Sequence, residues 1–263
     1  MAIGLVTGTA AYSLPGLEDA APGRVETRFG DVEVASGQLS GFEVLHVARH
    51  GRRHERLSSQ VNHRANVLAL KELGAEAVIG TTVCGGLDAS QPLGQLIVFD
   101  DLFFLANRLG DGALCSLVAE PGEPRRGHWI FDRPFSQPLR EALLAGAQAS
   151  GLPARDGGCY GHVDGPRFNS RIEIAYLRSL GVVAVSQTAG PETALCGEAE
   201  LPYALIGFVT DYANGVADEP TSVEELERLL GESRGALASA LTAALPHVAG
   251  SKLSPTGFVY RLG

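Results

Sequence analysis

The 263-residue chain has few cysteines and too little positive charge for several common roles. Its four cysteines, Cys84, Cys115, Cys159 and Cys196, are far apart and form no Cys-x-x-Cys pair. That argues against a zinc site or a disulfide framework and suits a reducing compartment. Twenty-one lysines and arginines face 30 acidic residues, a formal net charge of −9. General affinity for nucleic acid or anionic membrane needs a cationic surface that releases counterions, so neither partner is expected. No stretch reaches the roughly 18 apolar residues of a membrane span, and Met1–Leu5 carries no basic segment ahead of its apolar residues. A cytoplasmic protein whose partners are small molecules or copies of itself is therefore expected. Also missing are internal repeats, an interdomain linker, a P-loop and the Gly-x-Gly-x-x-Gly fingerprint, which removes most support for a triphosphatase or a dinucleotide oxidoreductase.

What is present reads as α/β, with one domain over 1–263 as the expected organisation. Short β-branched runs at 3–7, 44–48, 77–83, 96–99, 182–186 and 204–210 predict buried strands, and helical patterns lie between them. One helix runs from about Asn62 to Gly74. Another carries Ile172, Tyr176, Leu177 and Leu180 at spacings of three and four and stops at Gly181. Glycine at both stops fits the left-handed position that ends a helix and turns the chain into the next strand. Ser222 with Glu225 predicts a capping box opening a late helix through Leu226, Leu229 and Leu230, packed on the sheet. The segment 107–128, rich in glycine, proline and charge, reads as a loop or lid.

Four strand ends carry residues able to hold an anion. Gly8-Thr9-Ala10, Thr81-Thr82-Val83-Cys84-Gly85 and Ser186-Gln187-Thr188 place hydroxyls and glycines where open α/β sheets bind ligands. Pro191 suits the first position of a helix, which would put Thr188 near its anion-attracting N–H groups. The fourth end bears Arg49 and His50, and between residues 49 and 64 five arginines accompany one glutamate. That sign inversion in an acidic chain suggests a bound oxyanion, since a guanidinium presents a planar fork of donors and imidazole adds another. A solvated basic loop is the plainer alternative.

Ile3-Gly4-Leu5-Val6-Thr7-Gly8-Thr9, Ala48-Arg49-His50-Gly51, Val61-Asn62-His63-Arg64-Ala65-Asn66, Leu70-Lys71-Glu72-Leu73-Gly74-Ala75, Gly165-Pro166-Arg167-Phe168, Pro191-Glu192 and Thr210-Asp211-Tyr212 together resemble the methylthioadenosine phosphorylase and trimeric purine nucleoside phosphorylase family. The similarity runs in order over most of the chain and is weakest in the 100–128 loop and the C-terminal tail. It implies a single-domain fold with a mixed, twisted central sheet, a partial barrel flanked by helices. It also implies a homotrimer, or a hexamer built from it, with inorganic phosphate as co-substrate and neither cofactor nor metal. Phosphate would be held by Thr9, Arg49, His50, Thr82 and Thr188. Phe168 would stack on the purine, Asn169 and Asp211 would be the catalytic contacts to it, and Val83, Cys84, Gly85 and Gln187 would line the sugar side. His54 resembles a histidine near the sugar, and His128 one supplied by a neighbouring subunit. Val223 and Leu226 fall where relatives selective for a 5′-methylthio group present apolar side chains.

Chemistry follows from those positions. As the C1′–N9 bond stretches, the sugar gains positive and the purine negative charge, so an anion is needed beneath C1′ and a donor at the base. A desolvated, protonated Asp211 can donate towards N7. Departures from the family pattern are Thr7 and Ala10 in place of glycines, Gln187 for a methionine, Ala213 for a second aspartate, and Asp101-Leu102-Phe103-Phe104 for an Asp-Arg-Thr-like motif. 5′-Methylthioadenosine is the leading expected substrate, with 6-oxopurine nucleosides as the rival. A hydrolytic nucleosidase and a non-catalytic nucleoside-binding homologue are the alternatives of a different class.

Overall fold

A computed structural model describes residues 1–9, 14, 17, 20, 22–152 and 154–262. In chain order the strands and helices begin with β1 (Ala2–Thr7), β2 (Gly23–Thr27), β3 (Gly30–Leu39), β4 (Phe42–Ala48), α1 (His63–Glu72) and β5 (Ala75–Gly86). Next come β6 (Leu96–Val98), β7 (Asp101–Phe103), β8 (Gly127–Ile130), α2 (Gln137–Ala149), β9 (Ala154–Asp156) and β10 (Cys159–His162). The chain finishes with α3 (Arg171–Ser179), β11 (Val182–Ser186), α4 (Ala189–Glu198), β12 (Tyr203–Tyr212), α5 (Val223–Ala249) and β13 (Phe258–Arg261).

All six predicted strands form, with β5 running from Ala75 to Gly86 rather than over 77–83. Every residue of β1 is buried, as expected of a strand covered on both sheet faces. Residues of α1 and α4 join one apolar cluster with the sheet, and α2 and α5 join another. Gly74 and Gly181 take φ values of 85° and 87°, the left-handed geometry expected at the two helix stops.

Strand β5 organises the sheet. On one edge it pairs with β1 in parallel as far as Gly80, and then with antiparallel β11 at Gly85 and Gly86. Its other edge pairs with parallel β12. From β12 the sheet continues to β6, and β7 follows β6 directly to pair with β10, which returns to β11 and so to β5. That circuit is the barrel-like part; β2, β3 and β4 extend the sheet beyond β1.

Three local expectations are corrected. Ile172 and Tyr176 are 78% and 57% exposed and Leu180 is also exposed, whereas Ile174 and Leu177 face the core. Helix α3 is apolar on two faces, and spacing alone cannot say which one the sheet covers. Pro191 is the third residue of α4, not the first, a position whose missing N–H still costs nothing because the first-turn N–H groups have no helical partner. The α5 cap is half a box: Ser222 Oγ accepts from Glu225 N at 3.2 Å, but the Glu225 carboxylate turns to Arg228.

The crossing of α2 and α5 is close enough to leave no room for a Cβ at Gly146, which would lie 2.6 Å from the backbone oxygen of Ala240 and the nitrogen of Ala244. Backbone cannot move aside as a side chain can. Gly146→Val should lower the free energy of unfolding by about 1–3 kcal/mol or more, read from urea denaturation; unchanged stability would mean that the helices separate freely.

Candidate active site

Between the last β1 partner on β5, Gly80, and the first β11 partner, Gly85, one edge of β5 has no neighbouring strand. Strand β1 runs parallel to β5 and β11 antiparallel, so their C-terminal ends approach this gap from opposite sides. A cavity of about 320 Å³ opens there, within the size range of small-molecule sites. Its lining includes fourteen of the residues singled out from sequence: Thr9, Arg49, His50, His54, Thr82, Val83, Cys84, Gly85, Phe168, Asn169, Gln187, Thr188, Asp211 and Leu226. Ala10, in the first glycine turn, lies outside the described residues.

Arg49 is 1% exposed and bound on nearly every side. Nε donates to Glu192 Oε1 at 2.5 Å, and Nη2 to Glu192 Oε2 at 2.8 Å and to the Val6 carbonyl at 3.2 Å. Nη1 donates to the Thr81 carbonyl at 2.7 Å. Among the described residues one of the five guanidinium hydrogens, on Nη1, is left, and that nitrogen is the atom that a Cβ added at Gly8 would meet first. The strand-end arginine therefore spends most of its donors on fixing the gap and has a single one to offer a ligand. Glu192, itself fully buried, also accepts from Tyr203 Oη at 3.0 Å. Burial alone would raise its carboxyl, but the charge and hydrogen bonds of Arg49, together with the His63 ring 3.6 Å away, outweigh that and hold it well below the usual range. A Cβ at Gly80 would overlap Tyr203 Oη, so the glycine makes room for this third partner.

Hydroxyls surround the same space. Thr188 caps α4 by position, yet its side chain makes no capping bond, which leaves the hydroxyl for whatever occupies the cavity. Thr82 Oγ1 and Ser186 Oγ lie 2.9 Å apart. His50 Nδ1 is 2.9 Å from the Arg56 carbonyl; since a carbonyl only accepts, Nδ1 carries the hydrogen and Nε2 presents a lone pair. Burial, reinforced by the Arg49 charge, pushes the ring down to about 4, so His50 is neutral near pH 7. A neutral acceptor beside Arg49 complements the hydroxyl of monohydrogen phosphate. His54 stacks on His50 with centroids 4.6 Å apart. Thr7, a departure from the family glycine, has its hydroxyl 2.7 Å from His46 Nε2 and is absent from the lining, so its added side chain leaves the cavity free.

Across the cavity, β12 departs from regular pairing. Cys84 opposes Val209 and Gly85 opposes Asp211, with Thr210 bulged out between them. A regular strand would send Thr210 and Asp211 to opposite faces; the bulge lets both line the pocket. Thr210 Oγ1 donates to Asp211 Oδ1 at 2.8 Å. Oδ2 would lie 3.2 Å from a Cβ at Gly85. Burial raises the Asp211 carboxyl above its ordinary value despite the Thr210 hydrogen bond. Asn169 is tied into the same rim, its carbonyl accepting from Asn214 Nδ2 at 2.7 Å, and Phe168 is exposed at the mouth.

Two expected residues fall elsewhere. Val223, the first residue of α5, is 71% exposed and outside the lining; the apolar wall is shifted one turn inward to Leu226 and Leu230. His128 is on β8, paired with Tyr260 of β13 and away from this chain's own cavity. Nor is 107–128 a lid over this chain's pocket: Arg64 bonds the Leu114 carbonyl, and Glu198 holds Ser116 and the Leu117 N–H, pinning the segment to α1 and α4.

Sequence reading missed Ser58, Val163, Thr210, Asn214 and Leu230 in the lining, and the part played by Glu192. Thr210 adjoins Asp211, which was found, so adjacency within the strand was an available signal. Glu192 lay inside a quoted motif, but a carboxylate paired across 143 residues leaves no local trace.

The sequence pattern of the Phosphorylase superfamily matches residues 2–246, and the chain belongs to that family. It is 32% identical over 249 residues to the 6-oxopurine nucleoside phosphorylase of Pyrococcus furiosus, covering 93% of this chain and 92% of the relative. It is 35% identical over 212 residues to the S-methyl-5′-thioadenosine phosphorylase of Chloroflexus aurantiacus, covering 80% and 72%. Methylthioadenosine phosphorylase from Schistosoma mansoni, solved with adenine, shares the fold with a TM-score of 0.84 at 24% identity, over 96% of this chain and 93% of that one. A glycosyl-transferring phosphorylase is thus the class that fold and family define.

Removing one partner of a buried ion pair strands the other charge. Glu192→Gln should cost about 3–5 kcal/mol of stability, measured by chemical denaturation. A loss below about 1 kcal/mol, the scale of a surface pair, would show that Arg49 finds other compensation.

Proposed function

We propose that this phosphorylase cleaves a purine nucleoside, with a 6-oxopurine at the base end. A phosphate oxygen bonds to C1′ from the face opposite the base as the C1′–N9 bond breaks. The bonding pair leaves on the purine, and Asp211 Oδ2 passes a proton towards N7; the products are free base and ribose 1-phosphate. One observation carries the reading: hydroxyl, guanidinium and imidazole groups from separate strand ends share a cavity with a half-buried carboxyl of raised pKa. Thr9, Thr82, Thr188, His50 and the last Nη1 donor of Arg49 hold phosphate, Phe168 and Asn169 frame the base, and His54 lies on the sugar side.

Asp211 and Ala213 bear on the base. An Asp211 carboxylate accepts from a 6-amino group, which methylthioadenosine offers; burial raises the carboxyl and so eases its protonation as negative charge builds on the purine. Ala213, in the lining where the family carries a second aspartate, supplies no further acceptor. The Asn169 and Asn214 amides can donate to a 6-oxo group, and the Pyrococcus relative's name agrees with that preference. A second reading, methylthioadenosine, is favoured by Leu226 and Leu230, an apolar wall suited to a 5′-methylthio group, and by the Chloroflexus relative. The assembly is read as a cytoplasmic homotrimer: His128 serves a site only if a neighbouring subunit brings it there, and Ile172 and Tyr176 give α3 an apolar outer face.

Release of base from inosine, adenosine, 5′-methylthioinosine and 5′-methylthioadenosine, each with and without phosphate, tests both parts. The expected order puts 6-oxo above 6-amino substrates in kcat/KM; the reverse order would return the second reading, and cleavage independent of phosphate would make the protein a hydrolase. Asp211→Ala should lower kcat by roughly 10²-fold or more, the scale of a general acid. Turnover within a factor of three would leave Asp211 a spectator.

A further inference from the structure

Gln187 stands between Ser186 and Thr188, and its amide spans the pocket's rim. Ser58 Oγ donates to Oε1 at 2.8 Å, and Nε2 donates to the Arg167 carbonyl at 3.4 Å. Reversing the amide would set two carbonyl oxygens against each other at Arg167, so these partners fix its orientation. A Cβ at Gly165 would overlap Oε1 and crowd Ser58 Oγ; the bare glycine makes room for the pair. One lone pair of Oε1 and one Nε2 hydrogen are then left over. A side chain that only filled space beside the sugar would need neither the amide nor Ser58.

In a β-nucleoside the base occupies one face of the ribose, and the 2′- and 3′-hydroxyls occupy the other. Phosphate attacks on that second face, so a polar side chain next in sequence to Thr188 is beside those hydroxyls. We infer that the Gln187 amide, oriented by Ser58, reads the ribose 2′-hydroxyl and makes the enzyme selective for ribonucleosides over 2′-deoxyribonucleosides. Oε1 accepts from the hydroxyl while Nε2 can donate to its oxygen or to its neighbour's. When the hydroxyl is missing, the half-buried amide gains no partner for groups it has already drawn out of water, which is how sites built around a substrate hydroxyl reject analogues lacking it. Gln187 is the specificity-determining contact, and Ser58 is a positioning residue.

The inference rests on the phosphorolysis reading, and two measurements keep their failures apart. In steady-state kinetics with phosphate, inosine should exceed 2′-deoxyinosine in kcat/KM by roughly 10²-fold. Gln187→Met, which keeps the length and removes the amide, should bring that ratio below about 10, chiefly by lowering kcat/KM for inosine. Ser58→Ala should shrink it in the same direction, and serves alone if the Met variant fails to fold by its thermal melt. Titration calorimetry with ribose 1-phosphate and 2-deoxyribose 1-phosphate reads the same selectivity without turnover. Equal affinity of the two sugar phosphates for the wild-type protein, or a ratio that neither substitution changes, would overturn the inference while leaving phosphorolysis intact. No phosphate-dependent turnover of any nucleoside, with the sugar phosphates still distinguished, would overturn the proposed function instead.

Discussion

The buried pair of Arg49 and Glu192 is the interaction on which the rest of the site depends. It joins the end of β4 to the first turn of α4, and through the carbonyls of Val6 and Thr81 it ties in β1 and β5 as well. Two charges removed from water are stable only when nearly every donor and acceptor is matched, and here the matching is close to complete, with Tyr203 supplying a third bond to the carboxylate. The consequence is geometric. Backbone segments that would otherwise drift at the unpaired edge of β5 are held at fixed separation, and the remaining Nη1 donor is directed beside Gly8. A ligand anion then meets a preorganised surface rather than one it must assemble.

The gap itself arises from a change of partner along one strand. Because β5 outruns β1 and meets β11 from the other direction, two strand termini face each other, and each brings a hydroxyl residue followed by a turn. The opposite wall uses a bulge at Thr210, which turns consecutive side chains to one side. The two devices place hydroxyl, imidazole and guanidinium groups and a carboxyl of raised pKa in one small cavity, as a reaction that separates charge between sugar and base requires. Half-buried polar residues such as Gln187 then refine which sugar fits.

Much of this was legible from the residues. Buried strands announce themselves as short β-branched runs, and the left-handed glycines at 74 and 181 were readable because few other residues tolerate that backbone. Harder to read were β2 and β3, whose mixed sequences carry no continuous apolar signal, and β7, β9 and β10, each of only three or four residues. On α3 only Leu177 of the quoted spacing is buried; Ile172, Tyr176 and Leu180 are exposed, and Ile174, outside that spacing, completes the buried face. In the site, residues at strand ends were found because local sequence marks them. Glu192, Ser58 and Asn214 come to the site only through the fold, and Arg49, expected as one of five phosphate ligands, is also the clamp that shapes the gap.

The central claim is that an oxyanion in the gap attacks the anomeric carbon. Phosphorus-31 spectra of the protein with inosine and inorganic phosphate test it directly. The account predicts a sugar 1-phosphate ester resonance that grows in step with the loss of inorganic phosphate and with release of base. Free ribose and hypoxanthine, with the inorganic phosphate signal undiminished, would contradict it.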